Sequence, residues 1–344
     1  MAEAVGSSQR SPREVAPDGR NEQHRPMTPL ALARPVVLVG SRSDEHVARL
    51  AHRIEAQGVS TFVVDTLAFP EETRLALTEG LDGITVNGQR LGTPGAVYLR
   101  SLYTHPLAFG VDAQAAMNED WRTTLVAFRE KATLLRGLLG RWEALGVPFY
   151  NPESTAWRLQ KPLQLALLAQ AGLPVPETLW TNDPEAVRRF AAGRRVAYKP
   201  VGGGAATQEL GPEDLTDDRL AALEAAPVTF QALMPGEDVR VYVLDGEIVA
   251  SLRILSRAID FRQNEERIEP FELPSGVARQ CLRAMQVLGL RWTGMDLKRD
   301  AEGTLRILEL NESPMFLGFD ARAGTDILGH LAQGLVRAAR TPLS

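Results

Sequence analysis

From Pro35 onward, short apolar runs of strand length alternate with longer segments whose apolar residues recur at helical spacing. Pro35-Val-Val-Leu-Val-Gly40 predicts a buried strand feeding a helix from Asp44 to Gln57, and Val59-Ser-Thr-Phe-Val-Val-Asp65 predicts the next strand. Strand, helix and strand in that order make a βαβ unit, which implies a parallel, Rossmann-like opening domain. Ile84-Thr-Val86 and Ala96-Val-Tyr-Leu-Arg100 add strands, and Val111 to Leu145 reads as one long helix. Asn151-Pro152 marks a boundary by its turn chemistry. Beyond it, Thr155 to Ala171 is expected as a single amphipathic helix, and Glu185 to Ala192 as another with Pro184 at its first position. Arg195 to Pro200 and Thr229 to Leu233 predict strands. Arg240 to Leu244 and Glu247 to Arg253 flank Asp245-Gly246, a strong hairpin signal. Gly276 to Gly289 and Thr325 to Ala339 predict the last helices.

One further hairpin carries the most chemistry. Arg291-Trp-Thr-Gly-Met-Asp296-Leu and Thr304-Leu-Arg-Ile-Leu-Glu309-Leu-Asn311 flank the polar run Lys298 to Gly303. Strand side chains alternate between faces, so Glu309 and Asn311 share one, and folding about the loop brings Asp296 opposite them. Two carboxylates and one amide oxygen are hard ligands suited to Mg²⁺ shared with phosphate. The plain alternative is a solvated acidic hairpin. Against it, Glu309 and Asn311 stand among the apolar Ile307, Leu308 and Leu310.

Other segments suit a nucleotide. Lys199 ends a strand and runs into Val201-Gly-Gly203-Gly204-Ala-Ala-Thr207, where slim residues let backbone amides approach phosphate oxygens. The loop does not follow the P-loop pattern, and a flexible connector is the plain alternative. Gln231-Ala232-Leu233-Met-Pro-Gly-Glu-Asp238 is a strand that breaks into a turn, and a base edge could use the backbone groups the break frees. Asp238 and Arg240 share a strand face, which reads plainly as an ion pair. Arg262 and Asn264 occupy a polar loop, where the Arg fork suits oxyanions. Lys161, on a helix, reads alone as a solubility residue, and Arg100 at a strand end is an equally open candidate for substrate contact.

At 344 residues the chain is long enough for two or three compact units. Hydrophobic residues make up 44% and charged residues 24%, and the net charge of -5 offers no global basic field for nucleic acid. The single cysteine, Cys281, rules out an internal disulfide and fits a cytoplasmic location; it falls in an apolar helical pattern as core filler. No run reaches the ~20 apolar residues of a membrane span. Residues 1–34 are rich in Ser, Pro, Arg, Glu and Gly, and read as a disordered leader without a signal-peptide core. The first strand lacks a following G-x-G-x-x-G, which argues against a dinucleotide there. The long helical segment offers a surface for a homodimer.

The order of these pieces resembles the ATP-grasp superfamily, and within it the RimK-like carboxylate–amine ligases. The motifs are Asn151-Pro152 with Lys161, Tyr198-Lys199-Pro200 with its glycine loop, Gln231 with Asp238-Val-Arg240, Asp260-Phe-Arg262-Gln-Asn264, Gly294-Met-Asp296 and Glu309-Leu-Asn311-Glu-Ser-Pro314. Gly172-Leu-Pro-Val-Pro-Glu-Thr178 with Thr181-Asn-Asp-Pro-Glu185 is most similar to the graspetide synthetases of the microviridin type, which crosslink peptides. The resemblance implies an α/β (α+β) ATP-grasp fold behind a Rossmann-like pre-ATP-grasp domain. Its boundaries would be 1–34 leader, 35–150 opening domain, 151–234 central subdomain and 235–344 C-terminal subdomain. It implies ATP and two Mg²⁺ as cofactors, with Mn²⁺ able to substitute. Lys161 and Lys199 would contact the ATP phosphates and the adenine side, with Gly203 and Gly204 in the loop over the nucleotide; Gln231, Ala232 and Leu233 would lie along the adenine, the latter two through backbone, and Asp238 would approach the ribose. Arg262 and Asn264 would hold the transferring phosphate and the acyl phosphate, and Asp296, Glu309 and Asn311 the metal. The loop departs from the family pattern with Ala205 and Ala206, and Ala232 stands where relatives often carry Glu. The implied activity is activation of a carboxylate as acyl phosphate and its coupling to an amine or hydroxyl, on a peptide or on a free amino acid. An ATP-binding regulatory protein without the chemistry is the alternative from another class.

Overall fold

The computed structural model describes residues 34–104, 113–203, 205–256 and 265–343. The opening segment forms the expected βαβ unit: β1 (Val36–Gly40), α1 (Glu45–Glu55) and β2 (Thr61–Asp65), with β1 and β2 parallel. Asp44 caps α1 by accepting from the amide of His46. Next come β3 (Leu75–Leu77), β4 (Ile84–Val86) and β5 (Gln89–Arg90), which pair only with one another in a small antiparallel sheet. β6 (Ala96–Leu99) then returns to the parallel sheet, α2 (Ala113–Ala144) follows, and β7 (Phe149–Tyr150) completes the order β2-β1-β6-β7. Val36 to Val39 are fully buried because both faces of this sheet are covered.

The helix expected over 155–171 is broken. A 3-10 turn spans Glu153–Leu159, Gln160 leaves the helical region with ψ 119°, and α3 is Lys161–Gln170. Pro162 is the cause: its ring collides with the carbonyl four residues back and it has no N–H to offer that carbonyl, so it fits only a first turn. The break puts Lys161 at the start of a helix instead of on its flank.

β8 (Thr178–Thr181), α4 (Pro184–Ala191), β9 (Val196–Pro200), β10 (Gln208–Glu209), α5 (Asp217–Leu220) and β11 (Val228–Ala232) follow, with the strands in an antiparallel sheet ordered β10-β9-β11-β8. The largest sheet, also antiparallel, is ordered β14-β13-β12-β15-β16. It comprises β12 (Asp238–Leu244), β13 (Glu247–Ser256), β14 (Glu265–Pro270), β15 (Trp292–Arg299) and β16 (Leu305–Asn311), with α6 (Ser275–Leu288) between β14 and β15. Asp245 and Gly246 both adopt positive φ, 48° and 85°, as the two-residue hairpin turn joining β12 and β13 requires.

The sheet is packed on both faces. Leu165 and Leu168 of α3, with Met285 and Leu288 of α6, bury Val241, Met295 and Ile307 on one side. The chain ends in α7 (Leu317–Ala323) and α8 (Ile327–Arg340). On the other side, Leu331 and Leu335 of α8 share a core with Leu50 and Ile54 of α1 and with Tyr242 and Trp292. One continuous core thus ties the parallel sheet to the sheet that carries the acidic hairpin.

Candidate active site

The hairpin forms in the register its alternation predicts. Asp296 of β15 lies directly opposite Glu309 of β16, and Gly294 opposite Asn311. A bulge on β16 lies between Ile307 and Glu309, where the register shifts. The Asn311 amide joins the two carboxylates, its Nδ2 3.4 Å from Asp296 Oδ2 and 3.3 Å from Glu309 Oε1. A half-turn of that amide presents Oδ1 in place of Nδ2. Among the described residues no three His, Cys, Asp or Glu side chains gather for a metal. The set here is two carboxylates and an amide, which fits a hard, oxygen-seeking cation sharing its remaining positions with phosphate.

Cations surround these acids. Lys161 Nζ lies 2.7 Å from Glu309 Oε2. Burial pushes the Glu309 carboxyl upward, but Lys161, Lys199 and the Asn311 amide outweigh it and hold the group below its ordinary value. Arg240 of β12 stands directly opposite Asp296 and donates from Nη1 to Oδ1 at 2.5 Å. Its guanidinium is 5.2 Å from the Tyr242 ring centroid and 5.9 Å from that of Phe319. Burial opposes its charge, but Asp296 more than compensates and raises its pKa. Gly294 makes room for this pairing, since a Cβ there would lie 2.6 Å from Arg240 Nη2 and 2.7 Å from Pro314 Cβ.

The expected pair between Asp238 and Arg240 does not form. Asp238 Oδ2 instead binds Lys298 Nζ at 2.6 Å, across the ladder to β15. Directly opposed residues on adjacent strands are closer than next-but-one residues on the same strand, so the cross-strand partners win. Sequence reasoning therefore missed Lys298 and gave Arg240 the wrong partner; the register of β12 against β15 was the signal that could have found both.

An open-sided cavity of about 930 Å³, its solvent-filled mouth included, lies between the hairpin and the four-stranded sheet. Lys161, Lys199, Gly203, Gln231, Asp238, Asp296 and Glu309 all line it, together with the apolar Met234, Ile254 and Leu308. Gly203 has φ 84°, and its added Cβ would come 3.7 Å from Lys161 Nζ. Gln231 is buried and donates from Nε2 to Thr178 Oγ1 at 2.9 Å. The amides of Ala232 and Leu233 are already given to the carbonyls of Glu177 and Arg195, so those two N–H groups are occupied within the protein. Gly204, Arg262 and Asn264 lie outside the described residues. Arg100 is held elsewhere, by Asp44 at 2.8 Å and by the Ser313 carbonyl at 2.8 Å. Cys281 is buried and burial pushes its thiol up to about 12, which removes it as a nucleophile. Among the described residues no helix is long and apolar enough to cross a membrane.

Comparison with known proteins gives this geometry its class. Residues 228–335 match the RimK-like ATP-grasp domain. The ribosomal protein bS6–L-glutamate ligase of Salmonella paratyphi B is 30% identical over 220 residues, which are 58% of this chain and 71% of that protein. The ATP-grasp ligase PsnB, solved with a phosphomimetic minimal precursor, Mg and ADP, is 51% identical with a TM-score of 0.85, covering 90% of this chain and all of that one. The macrocyclase MdnC of Microcystis aeruginosa MRC, solved with its precursor peptide MdnA, is 26% identical with a TM-score of 0.71, over 88% of this chain and 99% of that one. Fold and site together define an α/β ATP-grasp ligase, an enzyme of the ADP-forming class that couples a carboxylate to an amine or hydroxyl. The chain belongs to the RimK-like ATP-grasp ligases, and it is similar over nearly its whole length to peptide macrocyclases of that family.

Proposed function

We propose that this chain modifies a peptide, joining a side-chain carboxylate of the peptide to an amine or hydroxyl through an ester or amide bond. The observation that carries the reading is the 51% identity spanning the full length of PsnB, a ligase solved with its precursor, Mg and ADP. The acidic hairpin supports it: Asp296, Glu309 and Asn311 are the oxygen set that would hold Mg²⁺, two ions in our reading, with Mn²⁺ able to substitute. When bound, the metal neutralises charge on the phosphate oxygens.

The chain's own residues would do the rest. Lys161, Lys199 and the loop at Gly203 and Gly204 hold the ATP phosphates. Gln231, Ala232 and Leu233 lie along the base, with Asp238 near the ribose. Arg262 and Asn264 steady the phosphate in transfer. A substrate carboxylate oxygen attacks the γ-phosphorus, the bond to the β-phosphate oxygen breaks, and ADP leaves. The incoming amine or hydroxyl then attacks the acyl carbon, the bond from that carbon to the phosphate oxygen breaks, and inorganic phosphate leaves, while the proton of the nucleophile passes to the departing phosphate or to water. Bringing the partners together supplies much of the rate and fixed positive charge much of the remainder.

The test is ADP release by purified protein with Mg-ATP, run separately with short acidic peptides encoded beside its gene and with pooled free amino acids. ADP release only with a peptide, and a product lighter by one water per bond formed, supports the reading. ADP release only with free amino acids overturns the peptide assignment and makes the chain a small-molecule ligase. Nucleotide binding with no ADP from either pool favours a regulatory protein.

A further inference from the structure

Among the described residues β16 is the outermost strand of its sheet, so the peptide groups on its outer edge have no neighbouring strand there to pair with. The segment from α3 to Pro174 takes that place. The amide of Ile307 donates to the carbonyl of Pro174 at 2.8 Å. Three residues further on, Gln164 makes a reciprocal pair with Leu310. Gln164 Nε2 donates to the Leu310 carbonyl at 3.0 Å, and the Leu310 amide donates to Gln164 Oε1 at 2.9 Å. Both residues are buried, Gln164 at 1% and Leu310 at 2% exposure. A carboxamide offers one donor side and one acceptor side, so it pairs with a strand as another peptide group would.

Leu310 is the residue between Glu309 and Asn311. Fixing its peptide unit fixes the local pleat, and the pleat decides which face the flanking side chains occupy. Gln164 also lies one helical turn past Lys161, whose ammonium binds the Glu309 carboxylate. One turn of α3 therefore grips β16 twice, by its backbone at Leu310 and by its side chain at Glu309. An apolar side chain at 164 would leave a buried N–H and a buried C=O without partners.

We propose that Gln164 is a positioning residue: its carboxamide stands in for the missing neighbour strand and holds Glu309 and Asn311 on the site face, so that a divalent cation meets an assembled oxygen set. This rests on the reading of Glu309 and Asn311 as metal ligands. Groups that orient metal ligands typically matter by about 10- to 100-fold in metal affinity.

The experiment compares Gln164→Met, which keeps chain length and bulk, with wild type and with Leu168→Ala, a core truncation on the same helix. Calorimetry follows ADP binding as Mg²⁺ is titrated, and hydrogen exchange follows β16 in protein stripped of metal. The expected result for Gln164→Met is a Mg²⁺ requirement raised about 10- to 100-fold, with faster exchange at Leu310. Leu168→Ala is expected to melt earlier while its Mg²⁺ requirement stays within about twofold of wild type, a margin far below the shift expected at Gln164. If Gln164→Met does not fold, Gln164→Asn carries the test, since it keeps the uncharged carboxamide but falls one methylene short of Leu310; a raised Mg²⁺ requirement is again expected. A Mg²⁺ requirement unchanged from wild type overturns the proposal alone. Wild-type ADP binding that ignores Mg²⁺ overturns the ligand reading itself, and the proposal with it.

Discussion

Lys161 Nζ lies 2.7 Å from Glu309 Oε2, so the first residue of α3 neutralises the carboxylate at the centre of the acidic hairpin. A cation arriving at Glu309 must share that carboxylate with Lys161, and a phosphate arriving beside it offers Lys161 a new partner. The two effects of removing Lys161 therefore have opposite signs. Lys161→Met is expected to tighten nucleotide-free Mg²⁺ binding about fivefold, the equivalent of roughly 1 kcal/mol for a partly exposed pair. ADP release is expected to fall on the order of 100-fold, because a charge that we propose holds the ATP phosphates is gone. Calorimetry with Mg²⁺ alone and a coupled ADP assay read the two separately. Loss of both together would mean that Lys161 only maintains the fold of the site.

Arg240 and Asp296 form a more deeply buried pair, with Arg240 at 6% exposure. Removing one partner of a buried pair strands the other's charge, at a cost of about 3–5 kcal/mol. Asp296→Ala should therefore lower stability by that order in urea unfolding. Arg240→Met combined with Asp296→Ala should recover part of the loss, since no charge is left stranded. Losses that simply add would show that the two side chains act independently.

Gly294 is the third member of that arrangement, because its missing side chain is what lets Arg240 reach across the ladder to Asp296. Gly294→Ala forces a methyl into contact with Arg240 and Pro314, an overpacking cost of about 1–3 kcal/mol. The guanidinium is expected to move off Asp296, with a fall in both melting temperature and ADP release. A variant with wild-type melting and turnover would show that Pro314 yields and that the close approach is incidental.

The acidic hairpin was legible because ligand-type side chains interrupted an apolar alternation on both sides of a polar turn. The Asp245-Gly246 hairpin was legible for a similar reason, since its turn demands residues that tolerate positive φ. What escaped notice depended on neighbours distant in sequence. Asp238 takes Lys298 and Arg240 takes Asp296 because β12 lies in register against β15, which no local pattern records. Pro162 is a different case, because it fits only the first turn of a helix, and the single helix expected over 155–171 overlooked that local signal. Gln164 carries no sign of its task, because a buried glutamine matters through the single strand edge it covers. Arg262 and Asn264 lie outside the described residues, and their roles stand on the family resemblance.

The last prediction concerns Lys131 on α2, a buried lysine whose ammonium lies 5.9 Å from the ring centroid of Phe69 and 6.0 Å from that of Phe128. Burial disfavours its charged form, and although Asp65 and Glu71 act in the other direction, its pKa falls from 10.5 to about 8. Between those two values the folded protein carries Lys131 neutral while the unfolded chain still holds the proton. The unfolded state then binds more protons, so this residue makes stability rise with pH across the window. Below about 8 both states are protonated and the folded state bears the full cost of the buried charge. Lys131→Met removes that cost and its pH dependence together. The variant should therefore melt above wild type at neutral pH, and the gap should narrow steadily as pH rises from 8 towards 10.5. A gap that stays constant across that range, measured by thermal unfolding at matched ionic strength, would show that Lys131 keeps its ordinary affinity for the proton in the folded protein.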